Sequence, residues 1–222
     1  MSVARTRLRR TVSVLALGVL GPALSVAAVT PAQATPTASS ASVQVQAQRV
    51  QPAAAGATAD LAGTFKKLNI TMQQQQQTNW CWAASGNTIA TWYGYTYSQN
   101  QFCNAAFGRS VNSSCPNSQA TLGDVQNGLS WVGINPGSYV TGYLRYSTVQ
   151  TEVNANRPIE TRIQWSSGGG HMHVVYGFDT SNNWVYWGDP WPSNTRYNWA
   201  DYNYYVSNGT FSWTHSLYRI GA

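Results

Sequence analysis

Residues 75–85 read QQQTNWCWAAS, and this stretch predicts a helix that begins close to Cys81. Thr78 and Asn79 are residue types that cap helix N-termini, and small and apolar residues recur at helical spacing over residues 83–93. A cysteine in the first turn of a helix faces unpaired N–H groups and the positive end of the helix dipole, both of which stabilise a thiolate. Cys81 is therefore a candidate nucleophile. A cysteine in a helix is more often a small core residue, so a partner base has to be sought elsewhere in the chain.

The protein has three cysteines, an odd number for a chain with an export signal. Cys103 and Cys115 flank a polar segment, and we predict that they form a disulfide. The constraint on the closed loop would contribute about 3 kcal/mol to stability. Cys81 would then be the free thiol, and three unpaired cysteines are the alternative.

Residues 1–34 have the pattern of a secretory signal peptide. Four arginines lie within residues 5–10, an apolar stretch covers residues 12–29, and Ala32-Gln33-Ala34 supplies the small residues that signal peptidase requires. We therefore expect the protein to be secreted.

Residues 35–60 are rich in Ala, Thr, Ser, Gln and Pro and contain no aromatic residue. Such a segment cannot bury enough apolar surface to offset its ordering entropy, so it predicts a disordered linker or a short pro-segment. Residues 61–222 remain for one catalytic domain, and they contain all ten tryptophans and all 13 tyrosines.

The net charge of +6 derives largely from the signal peptide. Four of the 13 Lys and Arg residues lie in it, which leaves nine against seven acidic residues, or about +2. No basic run remains that would indicate a nucleic-acid partner. The apolar stretch over residues 12–29 is interrupted by glycine and proline, so no stable membrane anchor is expected.

Helical patterns precede strand patterns in the domain, which predicts the α+β class. Ser98 with Gln101 and Thr121 with Asp124 have the spacing of capping boxes, and Ser147 with Gln150 predicts a third short helical turn. Alternating or β-branched runs predict strands over residues 68–72, 159–165, 173–178, 184–187 and 210–218.

Two further blocks come after the Cys81 helix. His171 is followed six residues later by Gly177–Phe178, and Asp189–Trp191 ends a predicted strand. Gln75, six residues before Cys81–Ala83, completes the set. In chain order, the Gln–Cys–Trp–Ala block, the His–Gly–Phe block and the Asp–Pro–Trp block resemble those of the papain-like cysteine peptidases. Among these, they resemble the secreted bacterial effector-type proteases.

The resemblance implies a papain-like fold, with an N-terminal helical part whose nucleophile helix packs on an antiparallel β-sheet or half-barrel. It implies that Cys81 attacks the scissile carbonyl, that His171 is the general base and that Asp189 orients it. Gln75 would help to bind the oxyanion, although five consecutive glutamines leave open which of Gln73–Gln77 serves. His173, on the same strand face, competes with His171 as the base. His215 is interpreted as a surface or core histidine.

The chain departs from papain by having Asp in place of Asn at position 189, and it has too few residues before the domain for the usual pro-domain. A carboxylate can also orient an imidazole, so the expected chemistry is retained.

Alternative interpretations of these residues remain open. His171, His173 and Asp189 could form a metal site, but that account gives the Gln–Cys–Trp block no role. Exposed tryptophans would favour carbohydrate binding, whereas Trp131 and Trp165 follow apolar patterns and are expected in the core. Trp187 and Trp191 are expected to shield the His–Asp pair from water.

The expected function is cleavage of protein or peptide substrates through a thioester acyl-enzyme, by a monomer without a cofactor. A transglutaminase or a peptidoglycan amidase could use the same triad, and a catalytically idle interaction module is the non-enzymatic alternative. Any requirement for a host activator is left open.

Overall fold

The computed structural model describes residues 64–222 of the chain. The predicted signal peptide and the predicted linker or pro-segment lie outside the described residues. Within residues 64–222, no helix is both long enough and apolar enough to cross a membrane.

The described residues form five helices and seven strands. The helices are α1 (Cys81–Trp92), α2 (Gln99–Ala106), α3 (Leu122–Val132), α4 (Tyr146–Asn154) and α5 (Tyr202–Val206). The strands are β1 (Phe65–Lys67), β2 (Ser138–Thr141), β3 (Ile159–Trp165), β4 (Gly170–Asp179), β5 (Trp184–Gly188), β6 (Tyr197–Asp201) and β7 (Phe211–Tyr218).

The sheet is antiparallel, with the strand order β2-β7-β3-β4-β5-β6, and β1 pairs with the C-terminal end of β4. α1 packs on β4, and the hydroxyl of Ser85 donates to the carbonyl oxygen of Met172 at 3.3 Å. The predicted α+β class and the packing of the nucleophile helix on an antiparallel sheet are confirmed.

α1 begins at Cys81, as predicted, but the predicted cap is wrong. The residue before the helix is Trp80, which makes no side-chain cap. Asn79 instead donates two hydrogen bonds to Asn117, from its backbone N–H and from its side-chain amide, each at 2.8 Å, and the Thr78 hydroxyl accepts a third from the Asn117 amide. A partner 38 residues away thus engages the side chains that local spacing assigned to the helix.

Both capping boxes are confirmed at α2 and α3. Ser98 and Gln101 satisfy each other's backbone N–H groups, and Thr121 and Asp124 do the same. The helix predicted near Ser147 is α4, which begins one residue earlier and lacks a side-chain cap.

Three helices pack around one aromatic side chain. A Cβ atom on Gly86 of α1 would lie 2.6 Å from the Phe102 ring, and one on Gly128 of α3 would lie 2.7 Å from it. Only glycine allows these helices to approach the fully buried Phe102 so closely. Cys103, the next residue of α2, forms the predicted disulfide with Cys115, and Cys81 is the free cysteine.

Two expectations about individual segments are wrong. Residues 68–72 alternate between buried and exposed but form no strand, because their backbone runs along the sheet with isolated bonds such as Leu68 N–H to the Tyr176 carbonyl. Trp131 is 43 % exposed and packs on the Tyr97 ring at 4.7 Å. Trp165, in contrast, is buried as expected.

Candidate active site

A cleft opens where the start of α1 faces the N-terminal end of β4. The wall on the helix side consists of Thr78, Asn79, Cys81, Trp82, Gln119 and Ala120. The wall on the sheet side consists of Arg162, Trp165, Gly169, Gly170, His171, Met172 and Trp191. Cys81 is partly exposed in this cleft.

His171 connects the cleft to the buried Asp189. Strand pairing places His171 opposite Ile163 of β3, and its Nε2 lies 2.7 Å from Asp189 Oδ1. The ring also interacts with the Cys81 side chain, to which the other nitrogen, Nδ1, remains available. The structure thus brings Cys81, His171 and Asp189 together in one continuous series.

The loop after β5 holds the Asp189 carboxylate in place. Oδ1 also accepts the Trp191 backbone N–H at 2.8 Å, and Oδ2 accepts the Asn194 amide at 2.8 Å. The Arg196 guanidinium donates to the Asp189 backbone carbonyl. Asn194 and Arg196 could not be identified from the sequence, because nothing in the pattern of a polar loop marks them as hydrogen-bond partners of Asp189.

These contacts set the charges of the series. Burial alone would lower the pKa of His171, but the Asp189 carboxylate and the Cys81 side chain outweigh it and raise the pKa to about 10. Burial would raise the pKa of Asp189, but the two histidines beside it hold that pKa well below its usual range. At neutral pH His171 is therefore an imidazolium beside a carboxylate.

His173 lies on the same side of β4 but does not line the cleft. Its Nε2 is 3.4 Å from Asp189 Oδ2, and its Nδ1 is 3.2 Å from the Tyr205 hydroxyl. Burial lowers the pKa of His173, although Asp189 opposes that effect. Of the two histidines, only His171 contacts Cys81 and reaches the cleft.

Gln75 is buried just before the turn that leads to Cys81. Its side-chain N–H groups donate to the carbonyl oxygens of Gln77 at 2.9 Å and of Thr78 at 3.0 Å. Its own backbone N–H donates to the Pro190 carbonyl, next to Asp189. Gln75 therefore links the segment before Cys81 to the loop that contains Asp189 through hydrogen bonds.

The remaining glutamines have other partners. Gln73 bonds to Asn87 and Thr91 of α1, and Gln74 Oε1 accepts from Arg196. The side chains of Gln76 and Gln77 are exposed.

Residues 64–207 match the family model described as papain-like cysteine protease AvrRpt2. The chain belongs to this family. It is accordingly a cysteine peptidase, which is the resemblance that the sequence blocks predicted.

Solved structures with similarity to this protease include two peptidases. The peptidase domain of Streptococcus ComA, a bi-functional ABC transporter, is 18% identical, with a TM-score of 0.48, over 66% of this chain and 95% of that one. A double glycine motif protease from an AMS/PCAT transporter, solved with its leader peptide, is 16% identical, with a TM-score of 0.44, over 68% and 92% of the two chains. No curated protein matches the chain at a significant level.

The three residues considered as a metal site are together in the protease. His171, His173 and Asp189 offer ligand atoms that all lie within 4.8 Å of one another, and all three are buried. Both histidine Nε2 atoms face the carboxylate itself. Binding an ion would replace the His171–Asp189 hydrogen bond that aligns the ring toward Cys81.

Glu160 of β3 is a buried carboxyl that the sequence did not single out. It is 0% exposed, and neither of its oxygens has a hydrogen-bond partner. Burial, with a smaller contribution from Cys81, raises the pKa of this carboxyl well above its usual value. An alternating strand pattern gives no indication that one of its positions holds a neutral glutamic acid.

Proposed function

We propose that this protein is an exported cysteine endopeptidase in which Cys81 is the nucleophile, His171 the general acid–base and Asp189 the residue that orients His171. The observation that carries the proposal is the series of contacts from the partly exposed Cys81 through His171 to the buried Asp189. A nucleophile, a base and an orienting group in hydrogen-bonding sequence are what acyl transfer requires.

The reaction begins from the Cys81 thiolate and the His171 imidazolium. The thiolate attacks the scissile carbonyl carbon and forms a tetrahedral oxyanion. When the C–N bond breaks, the imidazolium gives its proton to the leaving amine, and a thioester to Cys81 remains. Neutral His171 then takes a proton from water, whose oxygen attacks the thioester. The C–S bond breaks, which regenerates the Cys81 thiolate and releases the carboxyl product.

Asp189 has two effects on His171: its hydrogen bond orients the ring, and its negative charge stabilises the imidazolium. Its Oδ1 fixes the ring orientation, so the nitrogen facing Cys81 stays in line with the sulfur. Its negative charge keeps the imidazolium populated, which supports the raised pKa of His171.

The oxyanion requires donors near the start of α1. The backbone N–H of Cys81 is in the first turn, where the helix supplies no internal acceptor. In this proposal the second donor is the Gln75 amide, which releases the Gln77 or Thr78 carbonyl when the substrate binds, because both of its N–H groups are donated to these carbonyls in the free enzyme. Its partner Thr78 lines the cleft, so the amide lies one residue behind the cleft wall.

Export is part of the proposal and rests on the composition of residues 1–34. The Cys103–Cys115 disulfide supports it, since structural disulfides persist mainly in oxidising compartments. Cys81 itself must be reduced to act, so the enzyme would work where a thiol survives beside a disulfide.

The test uses protein beginning at Thr35, treated with the epoxide inhibitor E-64 while casein cleavage is measured. We expect one adduct, located on Cys81 by peptide mass spectrometry, and loss of cleavage both in the adduct and in Cys81→Ala. His171→Gln should lose both labelling and cleavage, whereas His215→Gln, a histidine outside the cleft, should keep them. Labelling of Cys81 without cleavage, but with ammonia release or wall lysis, would replace the peptidase by transglutaminase or amidase chemistry.

A further inference from the structure

Arg162 lines the cleft that contains the proposed catalytic pair, Cys81 and His171. Arg162 is on β3, opposite Met172 of β4, and Met172 directly follows His171. Arg162, Met172 and His171 all line the same cleft as Cys81.

Gly170 makes room for this side chain. A Cβ atom at position 170 would lie 2.5 Å from Arg162 Nη2 and 2.7 Å from Cζ. The guanidinium therefore lies over the backbone of the residue immediately before His171, and any larger side chain at Gly170 would displace it. This close contact fixes a positive charge one residue from the proposed base.

The positive charge of Arg162 has no acidic partner among the described residues. Its two hydrogen-bond acceptors are neutral: Thr214 Oγ1 at 2.9 Å from Nη1, and Gln164 Oε1 at 3.0 Å from Nη2. A guanidinium has five N–H donors, so three remain available.

The nearest carboxyl along the same strand face does not neutralise Arg162. Glu160 lies two residues away on β3, but it forms no hydrogen bond or ion pair with Arg162. Burial raises the pKa of Glu160 well above its usual value, so it carries no compensating negative charge at neutral pH. A partly buried arginine with neutral hydrogen-bond acceptors and free donors has the chemistry of a carboxylate-binding site.

We propose that Arg162 binds a carboxylate of the peptide substrate within one or two residues of the scissile bond. This inference rests on the proposed peptidase function and adds a substrate class to it. An acidic side chain and the C-terminal carboxylate of a short peptide present the same chemistry, and the experiment separates them.

The proposal predicts discrimination between an acid and its isosteric amide. The forked guanidinium can make two parallel bonds to a carboxylate but not to a neutral amide. In a site built for a polar partner, a substrate lacking that partner is discriminated against strongly. We expect kcat/KM to be at least tenfold higher for Asp or Glu than for Asn or Gln at one substrate position.

The test first maps cleavage sites of the enzyme beginning at Thr35 in a proteome-derived peptide library. Quenched fluorescent peptides around the best site then carry Asp, Asn, Glu or Gln at each of three positions on either side of the bond. Each peptide is made with a free and with an amidated C-terminus. Preference for an internal acid supports side-chain binding, and preference for the free C-terminus supports terminal binding.

Variants then connect the preference to Arg162. Arg162→Gln should abolish the preference, Arg162→Glu should reverse it toward Lys or Arg, and Arg162→Lys should retain it only in part. Arg109→Gln makes the same charge change outside the cleft and should leave the preference intact. The rate at which iodoacetamide alkylates Cys81 reports whether each variant keeps the intact site.

Two results would overturn the inference in distinguishable ways. Cleavage without any preference for a carboxylate, or a preference that Arg162→Gln leaves unchanged, contradicts the role of Arg162 alone. The absence of cleavage in every peptide, together with the absence of an E-64 adduct, contradicts the proposed function and the inference with it.

Discussion

His173 lies against the second carboxylate oxygen of Asp189, with its Nε2 3.4 Å from Oδ2 and its ring centroid 4.9 Å from that of His171. Behind it, the Tyr205 hydroxyl is 3.2 Å from His173 Nδ1 and 2.7 Å from Thr161 Oγ1. Tyr205 can donate to Nδ1 while it accepts from Thr161, which leaves His173 Nε2 facing the carboxylate without a hydrogen-bond partner. The second histidine thus contributes to the low pKa of Asp189 through its position beside Oδ2.

The first prediction concerns this contribution. His173→Leu removes the imidazole that lies beside Oδ2 and lowers the pKa of Asp189, so that pKa rises and the acid limb of the kcat pH profile moves to higher pH. His173→Gln can place its amide N–H near the same oxygen and should restore most of the profile. We expect kcat to fall about tenfold in the Leu variant with little change in KM, because His173 does not line the cleft.

A purely structural role for His173 would give a different result. Both variants would then lose thermal stability while the pH profile of the remaining activity stayed where it is in the parent enzyme. Parallel thermal melts and kcat profiles separate the two outcomes.

The second prediction concerns the alkaline limit of activity. Because the pKa of His171 is raised to about 10, the imidazolium persists through neutral pH and is lost as the pH rises through that value. kcat/KM should therefore fall near pH 10. In Asp189→Asn the carboxylate that raises this pKa is absent, so the alkaline limb should move to lower pH and kcat should fall about 100-fold.

The free energy of unfolding should also decrease as the pH rises toward 10. The folded pKa of His171 lies above its unfolded value, so its contribution is complete below about pH 6.5 and disappears as the pH approaches 10. Asp189→Asn should remove that dependence in urea unfolding between pH 6.5 and pH 10. An unchanged slope in the variant would contradict the assigned ion pair.

The features that could be predicted from the sequence are those that depend on residues close together in the chain. Cys81 at a helix start and a histidine followed by Gly177–Phe178 are local patterns, and so are the two capping boxes. The cap of α1 could not be predicted, because Asn117, far along the chain, binds Asn79 and Thr78.

The same limit applies to the groups behind the site. Tyr205 reaches His173 across 32 residues, and the burial of Glu160 depends on the strands on both sides of β3. Neither relationship leaves a periodic signal, since each depends on which strands become neighbours. Trp131 followed a helical apolar pattern but lies on an exposed face, where it packs on the Tyr97 ring.

The third prediction concerns Glu160. Its folded pKa is raised, so the native state holds a proton that the unfolded chain releases, and stability falls as the pH rises above about 4.5. Glu160→Gln keeps the shape and removes the titration. The variant should gain stability over the parent between pH 5 and pH 8, by at most about 1.4 kcal/mol per pH unit. Urea unfolding curves that keep a constant separation across this range would contradict the prediction.

The fourth prediction concerns the disulfide. Replacing Cys103 and Cys115 together by Ala should lower the free energy of unfolding by about 3 kcal/mol, because the 12-residue separation no longer constrains the unfolded chain. Labelling of native protein should still modify Cys81 alone, and kcat at a temperature below the new melting transition should change little. A large loss of kcat in a folded double variant would show that the loop also shapes the cleft.

The last prediction decides which glutamine acts. Only Gln75 directs its side chain into the turn before Cys81, where its amide holds the carbonyls of Gln77 and Thr78. Gln75→Ala should lower kcat by about 10- to 100-fold through loss of an oxyanion donor, and should lower the free energy of unfolding by about 1–2 kcal/mol because two carbonyls lose their donor. Gln76→Ala, whose side chain is exposed, should change neither quantity. A Gln75 variant that loses stability but keeps kcat at low temperature would limit this residue to bracing the turn, and the backbone N–H of Cys81 would then bind the oxyanion without it.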